Sequence, residues 1–270
     1  MPTPASSEQH SFVIPVFGEP PRLAACIESI LNQSCRVSQI VMSTSTPSEY
    51  LAKIAAAYQL PLFVNPGRVD IATDWNFAIT RAKTSLATIA HQDDLYDESY
   101  VEIMLETKER HRDALMLFSD FREHSPDGLR PVNVNVRVKR LLCALAFGGQ
   151  ESLVHAAGKR RLLSLGNPIC CPSVMLNLDR LAEFTFSEKF KTNLDWEAWT
   201  RMASMPGDFV YVKKVLVSKS IHTQSETSVT IANRIREIED RLMFEKFWPK
   251  SIASALLAIY KIGYLANRVP

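Results

Sequence analysis

The chain has 270 residues, of which 22% are charged, and a formal net charge of +2 at pH 7. A chain of this length can bury a substantial core as one large domain or as two closely packed lobes. The small net charge and the lack of a dense basic block argue against a nucleic-acid partner. The five cysteines form no CxxC pair, which disfavours a disulfide framework and a structural zinc site.

Reduced thiols and the N-terminal segment together predict a cytoplasmic protein. Residues 1–10 are polar and lack the basic and apolar parts of a signal peptide, so we expect them to form a flexible tail. No apolar run reaches the roughly 18 residues that a membrane-spanning helix needs.

Strand-like and helix-like segments alternate through the first half of the chain. Short apolar runs predict strands at residues 12–17, 39–42, 61–64, 86–90 and 114–118. Helical spacing of apolar residues predicts helices near residues 23–31, 46–58, 73–83 and 97–112. Thr46 is the predicted N-cap of the second helix, with Pro47 in its first turn and Glu49 completing a capping box. Repeated β-α-β units imply a mostly parallel sheet between two layers of helices.

The second half of the chain lacks this regular alternation. A strong turn signal at residues 125–128 separates the two halves. Beyond it, helices are predicted near residues 138–147, 151–165, 195–205, 230–247 and 251–267, and strands at 169–176, 209–212 and 215–217.

An acidic pair, Asp93 and Asp94, follows the predicted strand at residues 86–90. Open α/β sheets bind their ligands at the carboxyl ends of the strands. Paired carboxylates at that edge suit a hard divalent cation that carries a diphosphate. The alternative interpretation is a solvated turn in which Asp97 caps the next helix.

A second polar cluster opens the predicted helix at residues 195–205. Asp195 is a candidate catalytic acid or base, or alternatively the N-cap of this helix. Glu197 and Arg201 are spaced for a local ion pair. Trp196 and Trp199 either offer a flat apolar face to a ligand or belong to the core.

A third cluster, residues 221–225, follows the last predicted strand and contains His222 and Ser225. His222 is either a ligand of a metal or phosphate group or a structural histidine.

The order of these motifs resembles the inverting glycosyltransferases of family two, which have the GT-A fold, over roughly residues 11–228. The segments that carry the resemblance are the first strand (Phe12–Gly18), the first helix (Cys26–Ser34), the helix with Asn76, Ala78 and Ala82, the acidic motif (His91–Asp94) and the segment Leu194–Arg201. The capsule and cell-wall polysaccharide branch of the family is the most similar.

The resemblance implies that a nucleotide-diphosphate sugar binds at the carboxyl edge of the sheet and that its sugar passes, with inversion, to a glycan or lipid-linked acceptor. Asp195 would be the general base, and Asp93, Asp94 and His222 would hold Mg²⁺ or Mn²⁺. The residues implied to bind the donor are Pro15, Phe17, Glu19, Ser43, Thr44, Asn76, Asp93 and His222. Residues 166–173 would border the acceptor.

Three positions depart from the family pattern. The acidic pair expected after the second strand is replaced by residues 43–46, Ser-Thr-Ser-Thr, so the identity of the donor is open. Trp75 stands where an arginine is expected, and His91 replaces the first acid of the metal motif. Asp74 either compensates for a missing acid or belongs to the first turn of its helix.

The resemblance also divides the chain into regions: a tail (1–10), a donor-binding half (11–125), an acceptor and catalytic half (126–230) and a C-terminal helical extension (231–270). Two other functions are alternatives to sugar transfer. A nucleotidyltransferase would need a glycine-rich phosphate loop, and residues 15–21 contain one glycine. A non-catalytic carbohydrate-binding or assembly protein on a decayed transferase fold agrees with the missing acid but not with the retained Asp93, Asp94, Asp195 and His222.

The last predicted helix has an apolar face that includes Ile252, Leu256 and Ile259. We favour its packing against the core or against a second copy in a homodimer. Peripheral contact with the inner face of the cell membrane is the alternative.

Overall fold

The computed structural model describes residues 10–35, 37–125, 128–221 and 234–263. Its strands are β1 (His10–Val16), β2 (Gln39–Thr44), β3 (Leu62–Val64), β4 (Leu86–Ile89), β5 (Leu95–Tyr96), β6 (Ala114–Ser125), β7 (Gly128–Leu129), β8 (Ser152–Leu153), β9 (Val174–Asn177) and β10 (Asp208–Ser220). Its helices are α1 (Leu23–Leu31), α2 (Glu49–Ala57), α3 (Ile71–Ile79), α4 (Tyr100–Arg110), α5 (Val134–Phe147), α6 (Ala156–Leu163), α7 (Leu194–Met202), α8 (Ile235–Glu245) and α9 (Lys250–Tyr260).

The strands form one sheet in the order β3-β2-β1-β4-β9-β6-β10-β5, with β7 and β8 attached to β6 and β10. Pairs β1–β2, β1–β4, β2–β3 and β6–β10 are parallel. Strand β9 runs antiparallel between β4 and β6, so the sheet combines strands from both halves of the chain. The predicted α/β fold with a mostly parallel sheet is confirmed.

Two cores lie on opposite faces of the sheet, and β1 contributes to both. Phe12, Ile14 and Val16 pack with α1, α2 and α4, whereas Val13 packs with helices of the other layer. Successive side chains of a strand point to opposite faces, so an apolar run such as β1 needs helices on both sides. Strand β1 begins at His10, inside the segment predicted as a tail.

The start of α2 corrects one prediction. Ser48, not Thr46, is the N-cap, and its hydroxyl accepts a hydrogen bond from the backbone N–H of Leu51 at 3.3 Å. Thr46 is occupied elsewhere, because its hydroxyl accepts the N–H of Gly18 at 2.8 Å. The hydroxyl of Ser48 therefore caps the helix in place of Thr46.

Other predicted boundaries also shift. The predicted helix 151–165 begins as strand β8, which pairs with β10, and α6 starts only at residue 156. The two predicted strands at 209–212 and 215–217 are one strand, β10, with register shifts between residues 212 and 217. Such irregularities interrupt the alternation of side chains, which divides one strand into two in the sequence pattern. Residues 171–173 form a 3-10 turn before β9, within the strand predicted at 169–176.

Helix α9 packs on the core through part of the predicted face. Ala253 and Leu257 are buried, and Leu256 and Tyr260 pack against the same core, whereas Ile252 and Ile259 are exposed. Packing against the core is thus confirmed, but the buried face is rotated away from Ile252 and Ile259. Within the described ranges, every helix is too short or too polar to cross a bilayer.

Candidate active site

The loop after β1 is fixed between two neighbouring strand ends. The backbone N–H of Phe17 donates to the Gln92 side chain at 2.8 Å, and that of Gly18 donates to Thr46. Gly18 has φ +65°, a conformation that favours glycine. Of the predicted donor-binding residues in this region, Phe17 and Glu19 are exposed, and Pro15 pairs with Ser43 of β2.

Asp93 and Asp94 follow β4 at this same edge. Asp94 is only 1% exposed, and its Oδ1 accepts the backbone N–H of Ser220 at 2.6 Å. Its Oδ2 has no hydrogen-bond partner among the described residues. Burial, followed by the charge of Asp93, holds the pKa of Asp94 well above its usual value. A buried carboxylate with one bare oxygen is costly unless a cation or proton compensates it.

His91 takes the place of the first acid in this motif. Its ring packs on Trp75, with centroids 5.2 Å apart, and Nδ1 lies 3.7 Å from Asp94 Oδ2. Burial lowers the pKa of His91 to about 4, so the ring is neutral at pH 7. Its Nε2 is buried without a hydrogen-bond partner in the described part of the chain.

These residues fit a divalent cation in part. Carboxylate oxygens are the ligands that Mg²⁺ prefers, and Mg²⁺ in nucleotide sites takes one or two carboxylates plus phosphate oxygens. Asp93 and the bare Oδ2 of Asp94 supply such oxygens. In the described ranges no three His, Cys, Asp or Glu side chains form a metal-binding group. His222, the predicted third ligand, and Ser225 lie outside the described residues.

A carboxylate does lie beside the end of β2, although it comes from α3. Asp74 Oδ2 accepts the Ser45 hydroxyl at 2.7 Å, and Oδ1 accepts the Asn65 side-chain amide at 2.8 Å. Ser43 and Thr44 are buried, and the hydroxyl of Ser43 has no hydrogen-bond partner among the described residues. Asp74 lies in the first turn of α3, as one interpretation predicted, and its hydrogen bond to Ser45 also places it beside the strand end that lacks an acid. Its role as a replacement for the missing acid stays a prediction.

The side chain of Asn76 forms two hydrogen bonds with the backbone of Phe186. Its Nδ2 donates to the carbonyl of Phe186 at 2.9 Å, and its Oδ1 accepts the Phe186 N–H at 2.7 Å. Trp75 packs edge-on against the same Phe186 ring at 5.1 Å. Adjacent residues of α3 therefore hold the loop that leads toward α7.

Asp195 lies in the first turn of α7 and is not its N-cap, because Asn193 occupies that position. Its Oδ1 accepts the N–H of Trp196 at 2.7 Å, and its Oδ2 accepts the side-chain amide of Asn167 at 2.8 Å. Burial raises the pKa of Asp195, although the Trp196 N–H and the charge of Lys139 oppose the rise. A raised pKa brings a carboxylate closer to the range in which it can take a proton.

The aromatic residues of α7 belong to the core. Trp196 is fully buried and Trp199 is 1% exposed, so neither presents a face to a sugar. The predicted ion pair between Glu197 and Arg201 is confirmed, because Arg201 Nε lies 2.9 Å from Glu197 Oε2.

Helix α8 holds the start of α7. Glu239 accepts the backbone N–H groups of Lys191, Thr192 and Asn193 at 2.7, 2.9 and 2.9 Å. Asp240 accepts the Asn193 side-chain amide at 2.6 Å. These bonds fix the turn from which Asp195 projects.

Residues 166–173 connect the two acidic sites. Asn167 binds Asp195 at one end, and at the other the hydroxyl of Tyr96 donates to the carbonyl of Pro172 at 2.8 Å. Burial raises the pKa of the Cys171 thiol, and the charges of Asp195 and Asp94 add to the rise. The thiol therefore lies within the electrostatic field of both carboxylates.

Sequence reasoning missed three residues of this region. Lys219 precedes Ser220 on β10, and its charge lowers the pKa of both Asp94 and Asp195 against the burial that raises them. Lys139 of α5 acts in the same sense on Asp195, and Glu239 supports α7. A lysine at a strand end just before the cluster at 221–225 was an available signal for Lys219. Lys139 and Glu239 lie in ordinary amphipathic helices.

An α/β sheet with buried carboxylates after β4 and in the first turn of α7 is compatible with an enzyme that binds its ligand at the carboxyl edge of the sheet. The sequence profile described as Glycosyl transferase family 2 matches residues 11–183, more than half of the chain. The chain belongs to this family and is a glycosyltransferase. Asp195 and Glu239 lie beyond the matched segment.

Solved structures support the same fold. S. aureus TarS 1-349 is 13% identical with a TM-score of 0.63, over 93% of this chain and 69% of that one. Its complex with UDP-GlcNAc is 12% identical with the same TM-score, over 93% and 71% of the two chains. The mannosyltransferase PcManGT from Pyrobaculum calidifontis, in complex with GDP-Man and Mn²⁺, is 13% identical with a TM-score of 0.66, over 96% and 72%. Among curated proteins, no sequence matches significantly.

Proposed function

We propose that this glycosyltransferase is metal-dependent and inverting, and that it moves a hexose from a nucleotide-diphosphate donor to a hydroxyl of a glycan or lipid-linked acceptor in cell-surface polysaccharide synthesis. The observation that carries the proposal is the pair of acidic sites connected by residues 166–173. One site has a bare carboxylate oxygen beside a second acid, and the other has a carboxylate with a raised pKa.

The donor is assigned to the half formed by residues 11–125, and the acceptor to residues 126–230 with support from the C-terminal extension. Asp93 and Asp94 would hold Mg²⁺ or Mn²⁺, which neutralises charge on the leaving diphosphate when bound. From sequence alone, His222 is assigned to the same site. The structures of PcManGT with Mn²⁺ and TarS with UDP-GlcNAc are consistent with this assignment by analogy of fold.

Asp195 acts as the general base in this proposal. Its carboxylate takes the proton of the acceptor hydroxyl while that oxygen attacks the anomeric carbon. The bond between the anomeric carbon and the phosphate oxygen breaks, and the electron pair leaves with the nucleoside diphosphate. Attack from the face opposite the leaving group inverts the anomeric carbon. Asn167 holds the carboxylate in one orientation throughout.

Asp74 is proposed to take over the role of the acid that β2 lacks. Its two oxygens each accept one hydrogen bond, from Ser45 and Asn65, and each retains a lone pair for a donor group of the nucleoside. A carboxylate at this position supports a catalytic fold over a decayed, non-catalytic one.

The proposal is tested by nucleoside-diphosphate release from UDP-glucose, UDP-N-acetylglucosamine, GDP-mannose, dTDP-glucose, CDP-glucose and ADP-glucose, with Mn²⁺ or with EDTA. We expect Mn²⁺-dependent release from one nucleotide class, and its loss in Asp195→Asn. Asp179→Asn is the matched control, because Asp179 is an exposed acid outside the crevice residues described above. Release that is unaffected by EDTA or by Asp195→Asn would refute the proposed mechanism.

A further inference from the structure

Helix α5 exposes a continuous apolar stripe, consisting of Val134, Val138, Leu141 and Leu145. These side chains are 68%, 47%, 56% and 65% exposed. Their spacing of four, three and four residues places them on one side of the helix. The opposite side is also apolar and is buried in the protein through Val136, Cys143, Ala146 and Phe147.

Helix α5 is thus apolar on two opposite sides, and it also carries Asn135, Arg137, Lys139 and Arg140. The rest of the protein covers one apolar side of α5, so the outer apolar side is suited to a second apolar environment. Contiguous apolar surface of this kind on a soluble domain is typical of a site of interaction.

The start of this stripe lies beside the segment that follows α9. The side-chain amide of Asn135, next to Val134, donates to the carbonyl of Gly263 at 2.9 Å. Ile262, directly before Gly263, and Ile259, one helical turn earlier, are both 67% exposed. This hydrogen bond places the first turn of α5 beside residue 263, so exposed apolar side chains of both segments lie close to the junction.

The sequence segment that contains α5 is strongly basic. Residues 130–165 contain seven lysines and arginines and one acid, Glu151 (Arg130, Arg137, Lys139, Arg140, Lys159, Arg160 and Arg161). Lys159 is buried against backbone carbonyls, and Arg140 pairs with Asp120 at 2.8 Å. In the described ranges, no carboxylate forms an ion pair with Arg130, Arg137, Arg160 or Arg161. Arg137 is exposed on α5 beside the stripe.

We propose that α5 lies on an anionic lipid bilayer, with its apolar stripe at the boundary between headgroups and acyl chains and Arg137 against the headgroups. Apolar residues flanked by cations are the composition that binds such a surface. A second copy fits less well, because a two-fold contact through α5 would place the same basic segment against itself. Lys139, whose charge acts on Asp195, lies on this same helix. Membrane contact would therefore bring the acceptor side of the crevice near the bilayer, where a lipid-linked acceptor resides.

The test is flotation of the full chain with vesicles of phosphatidylcholine alone or mixed with phosphatidylglycerol. We expect flotation with the anionic vesicles, falling at least tenfold in the double variant Leu141→Gln/Leu145→Gln and about fivefold in Arg137→Glu. Leu31→Gln on α1 and Lys53→Glu on α2 are matched controls, because these side chains are also exposed. Both controls should float like the unchanged protein.

Equal flotation of the double variant and the unchanged protein, or no flotation with anionic vesicles, would overturn the proposal. A dimer in sedimentation velocity that dissociates in the double variant, with vesicle binding unchanged, would assign the surface to a second copy instead. Vesicle binding does not depend on the proposed chemistry. If the unchanged protein floats with anionic vesicles but releases no nucleoside diphosphate from any donor, the result would count against the proposed function alone.

Discussion

Asp94 and Asp195 both have raised pKa values because they are buried, but their hydrogen-bond partners differ. Asp94 uses one oxygen for the Ser220 N–H, and its other oxygen has no hydrogen-bond partner among the described residues. Both oxygens of Asp195 accept hydrogen bonds, from Asn167 and Trp196.

This difference shows how one crevice can use two carboxylates for separate tasks. The bare oxygen of Asp94, beside Asp93, is suited to bind a cation. The carboxylate of Asp195 is held in one orientation by two hydrogen-bond donors and is suited to accept a proton from a positioned hydroxyl. Substitutions should therefore separate into those that change donor binding and those that change the chemical step.

The largest effect is expected for Asp195→Asn. Loss of a general base should lower kcat by about 10²–10⁴-fold, while the affinity for the nucleoside diphosphate stays unchanged. Steady-state rates and titration calorimetry measure the two quantities. A parallel loss of nucleotide affinity would contradict the separation of the two sites.

Asp93→Asn should have the complementary effect. The variant should lose the Mn²⁺-dependent part of nucleotide affinity, because an amide oxygen binds a hard cation less strongly than a carboxylate does. With EDTA, variant and unchanged protein should bind the nucleotide equally. Calorimetry with and without Mn²⁺ tests this, and a Mn²⁺ effect that survives in the variant would remove Asp93 from the metal site.

Glu239→Ala tests the support of α7. Three backbone N–H groups lose their acceptor, which should lower the free energy of unfolding by about 1–3 kcal/mol and reduce kcat. Glu239→Gln keeps an acceptor oxygen and should recover most of both losses. Urea unfolding and rates at saturating donor measure them. Unchanged stability in Glu239→Ala would show that these bonds do not hold the helix start.

Asp74→Asn addresses the nucleoside end of the donor site. Removing the charge should weaken binding of the preferred nucleoside diphosphate by about tenfold and leave its Mn²⁺ dependence intact. Competition binding with UDP, GDP, dTDP, CDP and ADP measures the change. An identical affinity profile would limit Asp74 to its contacts with Ser45 and Asn65.

The smallest expected effect is a shift of the pH profile in Asn167→Ala. The base must be deprotonated, so the rate should rise with pH through the pKa of Asp195, which lies above its usual value. Asn167 donates to the charged carboxylate, and its loss should raise this pKa further. The acid limb of kcat should move to higher pH, and a shift toward lower pH would contradict the assigned hydrogen bond.

The donor edge was largely predictable from the sequence. Parallel strands share a carboxyl edge, so Asp93 and Asp94 could be assigned to the crevice as soon as β4 was recognised. The contact of Asp74 with Ser45, by contrast, joins residues 29 positions apart and depends on how α3 packs.

The acceptor side was less predictable because its support is distant in sequence. Glu239 binds backbone groups 46 to 48 residues away, and no local pattern indicates such a bond. The roles of Trp196 and Trp199 could not be predicted either, since only their burial in the fold shows that they belong to the core and do not face a ligand. The cap of α2 was mispredicted for the same kind of reason, because the Thr46 hydroxyl accepts a hydrogen bond from Gly18, 28 residues away.

The central claim is best tested by thermal unfolding with a panel of nucleoside diphosphates, with Mn²⁺ and with EDTA. A ligand that binds only the folded state raises its apparent stability. We expect one nucleotide to raise the Tm in a Mn²⁺-dependent way in the unchanged protein and in Asp195→Asn, and not in Asp93→Asn. A stabilisation that persists with EDTA, or that is lost in Asp195→Asn but retained in Asp93→Asn, would contradict the assignment of the two carboxylate sites.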